Sequence, residues 1–434
     1  MSKAKTWFDV HRMRLGLSVL PAAVLAIGLA ASVPTQAQSL TFSVMASGTY
    51  DKAAADAATA FQAKTGTKVT VAAFPWATLR QNNITDVVTG TNQYQVMSGG
   101  FYLADIYSHF VPLGDMVKQD NLAAGMIPGL MDPGRSEYFS GKQIGFPYGT
   151  DVYGVMVNDD LFKQAGVDPA SIKTWDDFLT ACTQLEAKLT GIACFSHPTG
   201  NPEQISAFFF GDYDGTYINA AGHYELDVPK ATATGKLISE IWKHLPKQGG
   251  AMSFDEANAA FRDGKTAMLV TWPSFANAFL DADGSPIKGH WHQIPFPGPG
   301  WPSLSQWQLF IPDSAPDKAL AWQWIKAFAG PDSAKANFVK YGIGSPWKAL
   351  YDDPELKAEH QHDWPAKLAD LPRAQNPVLS GEALDFLNNT MQDIANGRVT
   401  PDAGIASINT AWAGFQVPQT LLETAKSVGA IASK

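Results

Sequence analysis

Two histidine pairs are the first residues in this chain whose types and spacing suggest chemistry. His290 and His292 stand in HWH, and His360 and His362 in EHQHD. Imidazole is a common metal ligand. A spacing of two puts the members of a pair on opposite faces of a strand, and the surroundings are polar, so both pairs read as exposed loop histidines. Asp281, Asp283 and Gly284 open like a calcium loop. The later acidic ligand is missing, so a plain turn is expected there. Asp159-Asp160 and Asp352-Asp353 read as turn or helix-cap carboxylates. The only cysteines are Cys182 and Cys194. One falls on a helix and the other on the short apolar piece after Gly191. A chain turning back from helix to strand brings such a pair together, so a disulfide is expected, with two small buried thiols as the other reading. Two cysteines alone are too few for a zinc site. There is no Walker loop, HExxH, G-x-S-x-G or GxGxxG. No catalytic residue, cofactor or metal is therefore assigned, and the chain is read as a binder, not an enzyme.

The aromatic residues say more. Of the 13 tryptophans, Trp242, Trp322, Trp324 and Trp412 lie within helical periods and belong to a core. Trp175 follows an N-cap and should pack locally. Trp76, Trp272, Trp301, Trp307 and Trp347 stand at element ends beside Pro, Gly or Ser, where a cleft would be lined. Flat apolar rings with polar edges suit sugars and polyols.

The elements that position these residues alternate, as in an α/β protein. Strands are expected over 40–45, 68–74, 94–97, 266–271 and 307–311. Helices are expected over 51–65, 79–89, 101–110, 176–189, 203–210, 230–245, 253–262, 316–329 and 331–341. The Pro/Gly-dense stretch 286–302 reads as a loop. No repeat, low-complexity tract or long linker appears.

The N-terminus carries Lys3, Lys5, Arg12 and Arg14, then an apolar run over 15–31, then Thr35-Gln36-Ala37. Basic, apolar and small-residue regions in that order read as a cleaved secretory signal over residues 1–37. No cysteine near the cut offers a lipid anchor, and no Arg-Arg pair suggests twin-arginine export. The remaining chain is long enough for two domains. The whole chain has 32 basic and 41 acidic residues. Subtracting four basic residues and Asp9 leaves 28 against 40, or −12. An acidic chain without a Lys/Arg cluster does not suit nucleic acid or an anionic membrane surface. No second apolar run approaches a membrane-spanning length.

Four segments carry a family resemblance. GFPYGTDVYGVMVNDDLFKQAG, residues 145–166, is followed by the helix opening TWDDF at 174–178. FQAKTGTKVTV occupies 61–71, FRDGKTAMLVTWP occupies 261–273, and LNNTMQDIANGRVTPDAGIASINTAW occupies 387–412. In order and kind, these resemble the crossover, the first helix and second strand, the later helix–Gly–strand unit and the C-terminal helix pair of bacterial extracellular solute-binding proteins, the family that includes the maltose-binding protein.

The resemblance implies a two-lobe periplasmic binding-protein fold with the ligand between lobes and several chain crossings as hinge. It implies one lobe from 38–149 plus 307–365 and the other from 150–306 plus 366–434. It implies a periplasmic substrate-binding component of an ABC importer, a monomer that delivers a sugar or polyol to permease subunits without a membrane anchor. The cleft would be lined by Ser47, Gly48, Thr49 and Tyr50, by Trp76, and by Gly99, Gly100, Phe101 and Tyr102. The crossover would add Tyr148, Thr150 and Asp151, and the second lobe Trp272, with Trp307 opposite. Asp151 would accept hydrogen bonds from ligand hydroxyls. The chain departs from the family at Gly99–Tyr102, where many relatives carry a charged residue, and at Ser305-Gln306-Trp307, where many carry Gly-Gly. Both departures leave the solute class open. The rivals are a secreted hydrolase, which would need two carboxylates across the cleft, and a periplasmic binder of a non-sugar solute, such as a metal chelate.

Overall fold

The computed structural model describes residues 39–46 and 49–431. The expected signal over 1–37 lies outside the described residues, as do Ser47 and Gly48.

Alternating apolar residues make Ser39–Met45 a strand, with Phe42 and Val44 fully buried. It pairs in parallel with Lys68–Phe74 and Val96–Gly99. Helices Tyr50–Thr65 and Trp76–Thr89 make the crossovers that parallel strands require. Each stops at a glycine in the left-handed region, Gly66 at φ 77° and Gly90 at φ 66°, where a side chain would be strained. Leu304–Phe310 joins this sheet antiparallel to Val96–Gly99, and Phe146–Val152 completes it. Helix Lys318–Ala329 backs the sheet, with Trp324 edge-on to Phe42 and to Phe61.

A second sheet has the order Trp291–Ile294, Gly154–Asn158, Thr266–Thr271, Ala193–Ser196. Helix Trp175–Lys188 starts with a capping box between Thr174 and Asp177 and buries Trp175, Phe178 and Leu185. Its Cys182 is bridged to Cys194 on the neighbouring strand, with Cα atoms 4.9 Å apart. Helices Gly381–Ala395 and Pro401–Trp412 cover this sheet's side of the molecule.

The chain leaves the first sheet for the second through a single residue and returns through the stretch 295–303. Tyr153 separates Phe146–Val152 from Gly154–Asn158, and its N–H donates to the carbonyl of Ser303, 2.9 Å away, where the chain returns. The ladder between the returning and outgoing strands runs on to Val152 and Leu304, beyond the 149/150 and 306/307 boundaries drawn from sequence. The strand expected from 307 begins at Leu304 because Ser305 and Gln306 pair with Asp151 and Thr150. Polar side chains there disguised a strand as a loop. The helix expected over 101–110 is a 3₁₀ helix, Phe101–His109, and the strand before it is Val96–Gly99. The helix expected over 203–210 divides into a 3₁₀ turn, Pro202–Ile205, and helix Ser206–Asp212. Among the described residues, no helix is long and apolar enough to cross a membrane.

Candidate functional site

A cavity of about 320 Å³ lies where strands of both sheets end. That placement is general for α/β sheets, because the loops leaving the carboxyl ends of the strands diverge and open a crevice. From the first sheet come Met45, Gly99 and, after Lys68–Phe74, Trp76. From the second come Trp272, which follows Thr266–Thr271, and the stretch with Asn201, Glu203, Gln204 and Ser206 beyond Ala193–Ser196. Helix Gly381–Ala395 adds Gly381, Leu384, Asp385 and Asn388, a set spaced for one helix face.

Aromatic rings form an arc on the first wall. Ring centroids are 5.3 Å apart between Trp76 and Tyr102, 6.1 Å between Tyr102 and Trp307, and 5.5 Å between Trp307 and Tyr50. On the opposite wall Trp272 stands perpendicular to Tyr153, 4.7 Å between centroids, and its Nε1 donates to Gln204 Oε1 at 2.8 Å. Three polar atoms on cavity-lining residues have no hydrogen-bond partner among the described residues: Tyr102 Oη, Gln306 Oε1 and Asn388 Oδ1. Gln306 Nε2 donates to the carbonyls of Leu130 and Arg135, both at 2.7 Å, which fixes the amide and leaves its oxygen free. Burial, with the neighbouring Tyr148 hydroxyl adding to it, raises the Tyr102 pKa well above the ordinary value, so the hydroxyl keeps its proton and can donate. Among the described residues lining the cavity, Arg80 is the one cation, and it faces Asp385 at 3.5 Å. Glu203 accepts from Asn201 Nδ2 at 3.1 Å. The arrangement offers flat apolar surface with a few neutral acceptors and donors, the Glu203 carboxylate and the Arg80–Asp385 pair. It suits an uncharged solute with C–H faces and hydroxyl edges.

Of the residues named from sequence, the cavity is lined by Tyr50, Trp76, Gly99, Gly100, Phe101, Tyr102, Asp151, Trp272 and Trp307. Three others lie behind the wall. Thr49 caps helix Tyr50–Thr65 and its hydroxyl donates to the Tyr341 carbonyl. Tyr148 is the extra residue of a β-bulge, since Trp307 pairs with Gly149 and Gln308 with Pro147. A bulge re-aims the side chain it inserts, and here the hydroxyl meets Ser98 Oγ at 2.8 Å. Thr150 neighbours Asp151 on a strand, where successive side chains take opposite faces, so the two could not both face a ligand. Trp301 stacks on Phe210, 4.6 Å between centroids, and Trp347 is buried with Nε1 on the Ala329 carbonyl, so neither lines the cavity.

Asp151 reaches the wall, but its carboxylate is already engaged. Oδ1 accepts from Lys367 Nζ at 3.1 Å and from the Val152 N–H at 3.0 Å, and Oδ2 accepts from the Ser274 N–H at 2.8 Å. Both side chains of the pair are 5% exposed. Burial alone would lower the Lys367 pKa, yet the facing Asp151 carboxylate, Tyr351 and Asp363 together outweigh it and hold the ammonium above its ordinary value. The structure thus makes Asp151 a fastening between the crossover and the helix Trp364–Asp370 that also borders the cavity. Sequence reasoning passed over Gln306, Gln204, Glu203 and Asn388. Asn388 had a signal: it is a polar residue inside the buried stripe Ala383, Leu387, Met391 of one helix.

The sequence profile of the bacterial extracellular solute-binding proteins matches residues 43–335. A probable amino-acid ABC transporter periplasmic-binding protein of Sinorhizobium fredii is 26% identical over 235 residues, 53% of this chain and 53% of that one. The chain thus spans about half the length of the curated relatives it matches. The fold is shared with an ABC transporter solute-binding protein of Agrobacterium radiobacter solved with ribitol, at TM-score 0.74 and 19% identity over 87% of this chain and 98% of that one. It is shared too with maltose-bound MalE3 of T. maritima, at TM-score 0.75 and 20% identity over 87% and 99%. These structures establish the two-lobe architecture with a cleft between lobes. With its profile match covering more than half of its length, the chain belongs to the bacterial extracellular solute-binding protein family.

Proposed function

We propose that the chain is the periplasmic substrate-binding component of an ABC importer, exported by a leader over residues 1–37 and working as a monomer. It captures a small carbohydrate or polyol between its lobes and delivers it to the membrane permease subunits. The observation that carries this reading is the meeting, in one cavity, of an aromatic arc with unpartnered Gln306 Oε1 and Asn388 Oδ1. Those oxygens need donors, and ligand hydroxyls supply them. The ribitol and maltose held by proteins of the same fold are of this class. At about 320 Å³ the cavity is at the small end of ligand sites, which favours a monosaccharide or sugar alcohol.

The amino-acid name of the Sinorhizobium relative sets the competing class. A free amino acid carries both charges, and each needs a charged or multiply bonded partner when buried. Glu203 could meet an ammonium, but Arg80, the one cation of the described lining, already faces Asp385 at 3.5 Å, which leaves a solute carboxylate without a cation of its own. The lobes are proposed to turn about Tyr153 and Ser303, with solute favouring the closed form because only that form contacts it from both walls.

Titration calorimetry with tryptophan fluorescence, over sugar alcohols, mono- and disaccharides and the amino acids, tests the reading. Saturable binding of a polyol or sugar, recovered chemically unchanged, is expected, with a smaller radius of gyration on binding. Binding confined to amino acids would overturn the solute class, and a released hydrolysis product would overturn the transport role.

A further inference from the structure

We propose that His360, His362, Asp363 and Asp281 form a binding site for a divalent transition-metal ion of the zinc class, outside the solute cavity. Helix Pro354–Glu359 stops at His360, and Asp363 precedes helix Trp364–Asp370, so one short turn presents three ligand side chains. One ligand atom from each of His360, His362 and Asp363 lies within 4.8 Å of the others. His360 Nδ1 is 3.0 Å from Asp363 Oδ1, and His362 Nε2 is 3.9 Å from the same oxygen. Asp281, at the end of helix Pro273–Leu280, brings Oδ2 to 3.1 Å from His362 Nε2. Ligands 2.0–2.1 Å from a tetrahedral zinc stand about 3.3 Å from one another. The separations of 3.0, 3.1 and 3.9 Å straddle that value, and Asp281, which lies outside the 4.8 Å group of the other three, would swing in from His362 to complete the shell.

The surroundings hold these side chains in place. Trp291 Nε1 donates to Asp281 Oδ1 at 2.9 Å, and Asn277 Nδ2 donates to Asp363 Oδ2. Each carboxylate therefore has one oxygen held by a neutral donor and turns the other toward the histidines, the outer-shell arrangement that orients metal ligands. The His360 ring lies parallel to Trp364, 4.8 Å between centroids and 9° between planes. The His362 ring meets Trp291 edge-on at 4.4 Å. Two imidazoles with two carboxylates suit zinc, cobalt or nickel better than calcium or magnesium, which take oxygen shells. Separate His–Asp hydrogen bonds would explain each pair alone. They do not require the two pairs to meet, and here His362 Nε2 also lies 3.9 Å from Asp363 Oδ1. The sequence placed the two histidines on opposite faces of a strand; a turn between two helices puts them on one side instead.

A bound ion would join the turn that leads to Lys367 to the helix that begins beside Trp272, and would stiffen that part of the molecule. The test uses full-length mature protein stripped with EDTA and titrated with ZnCl₂ alone, read by calorimetry and by melting temperature. Stoichiometric binding and a higher melting temperature are expected. His360→Gln and His362→Gln should each weaken binding by more than about 10-fold, and Asn277→Ala by about 10-fold, the usual effect of losing an outer-shell partner. His290 and His292 pair with Asp160 and Asp159 at the surface, so the double variant His290→Gln/His292→Gln is the control and should bind zinc as the parent does. Absence of heat in the parent overturns the site, as does binding that survives in His362→Gln or disappears in the control. Cobalt(II) bound to unmutated protein gives a reading free of folding effects. Strong visible absorption of a four-coordinate ion supports the site, and the weak spectrum of a six-coordinate one overturns it.

Discussion

Gln306 and Gln308 stand two residues apart on one strand and are used in opposite ways. Gln308 is satisfied at both ends: its Oε1 accepts from Ser136 Oγ at 2.9 Å and the Glu137 N–H at 3.2 Å, and its Nε2 donates to Glu137 Oε1 at 3.2 Å. Gln306 donates twice but leaves its oxygen without a partner among the described residues. The contrast extends to their regions. In the belt at the crossings the side chains of Asp151, Lys367, Gln308 and Glu137 are paired. The cleft wall, with Gln306, Asn388 and Tyr102, has valence to spare beside bare aromatic surface. An unpaired buried polar atom costs about 1–3 kcal/mol, so the wall gives up stability that the belt keeps.

The largest test of that contrast is Lys367→Met. It strands the Asp151 carboxylate in a buried site and should lower stability by about 3–5 kcal/mol. Solute affinity, measured well below the melting transition, should be unaltered. The double variant Asp151→Asn/Lys367→Met should recover much of the loss, since no charge is left unpaired. A large drop in affinity with unchanged melting would instead place Asp151 among the solute's partners and break the comparison.

Next is the pH dependence of the belt. Burial raises the Glu137 pKa to about 7, against the hydrogen bond from the Tyr107 hydroxyl, which lowers it. The folded state therefore holds a proton that the unfolded chain has released between pH 4.5 and about 7. Stability should fall across that window as pH rises, by roughly 3 kcal/mol in all. Buried His197 works the other way. Burial holds its pKa down at about 4, so its contribution is lost as pH falls from 6.5. Denaturant melts of parent and Glu137→Gln, subtracted at each pH, isolate the Glu137 slope. Parallel curves would show that the carboxyl is ionised throughout.

On the cleft wall, Trp272→Ala should cost about 2 kcal/mol of binding, roughly 30-fold in Kd, as for a buried aromatic anchor. Trp272→Phe should restore part of it. Full affinity in the alanine variant would mean that the ring only packs on Tyr153. The smallest effect is Asn388→Leu. Loss of one neutral hydrogen bond should weaken binding by about 2- to 10-fold, with melting unchanged or raised, because an unpaired oxygen has been removed from the interior. A lower melting temperature would show that this wall is as saturated as the belt.

Much of the fold was legible in order. The strands at 68–74 and 266–271 and the helix Pro331–Tyr341 occur as their periodicity implies. Polar Ser305 and Gln306 hid the start of a strand, because a strand edging a cleft shows polar side chains where a buried strand shows apolar ones. Trp301 and Trp347 shared the local context of Trp272 and Trp307, and only packing separated them.

The sequence by itself determined the alternation of strands and helices, the cysteine pair within one helix–strand unit and the supply of aromatic rings at strand ends. These depend on local periodicity, on capping and on residues near one another in the chain. The tertiary structure alone decided which polar atoms are spent and which are free. Asp151 meets Lys367, Gln306 meets Leu130, and His362 meets Asp281 across 216, 176 and 81 positions of chain. Hydrogen-bond partnership at that range is set by how the elements pack, so a carboxylate's role as fastening or receptor is written in no local pattern.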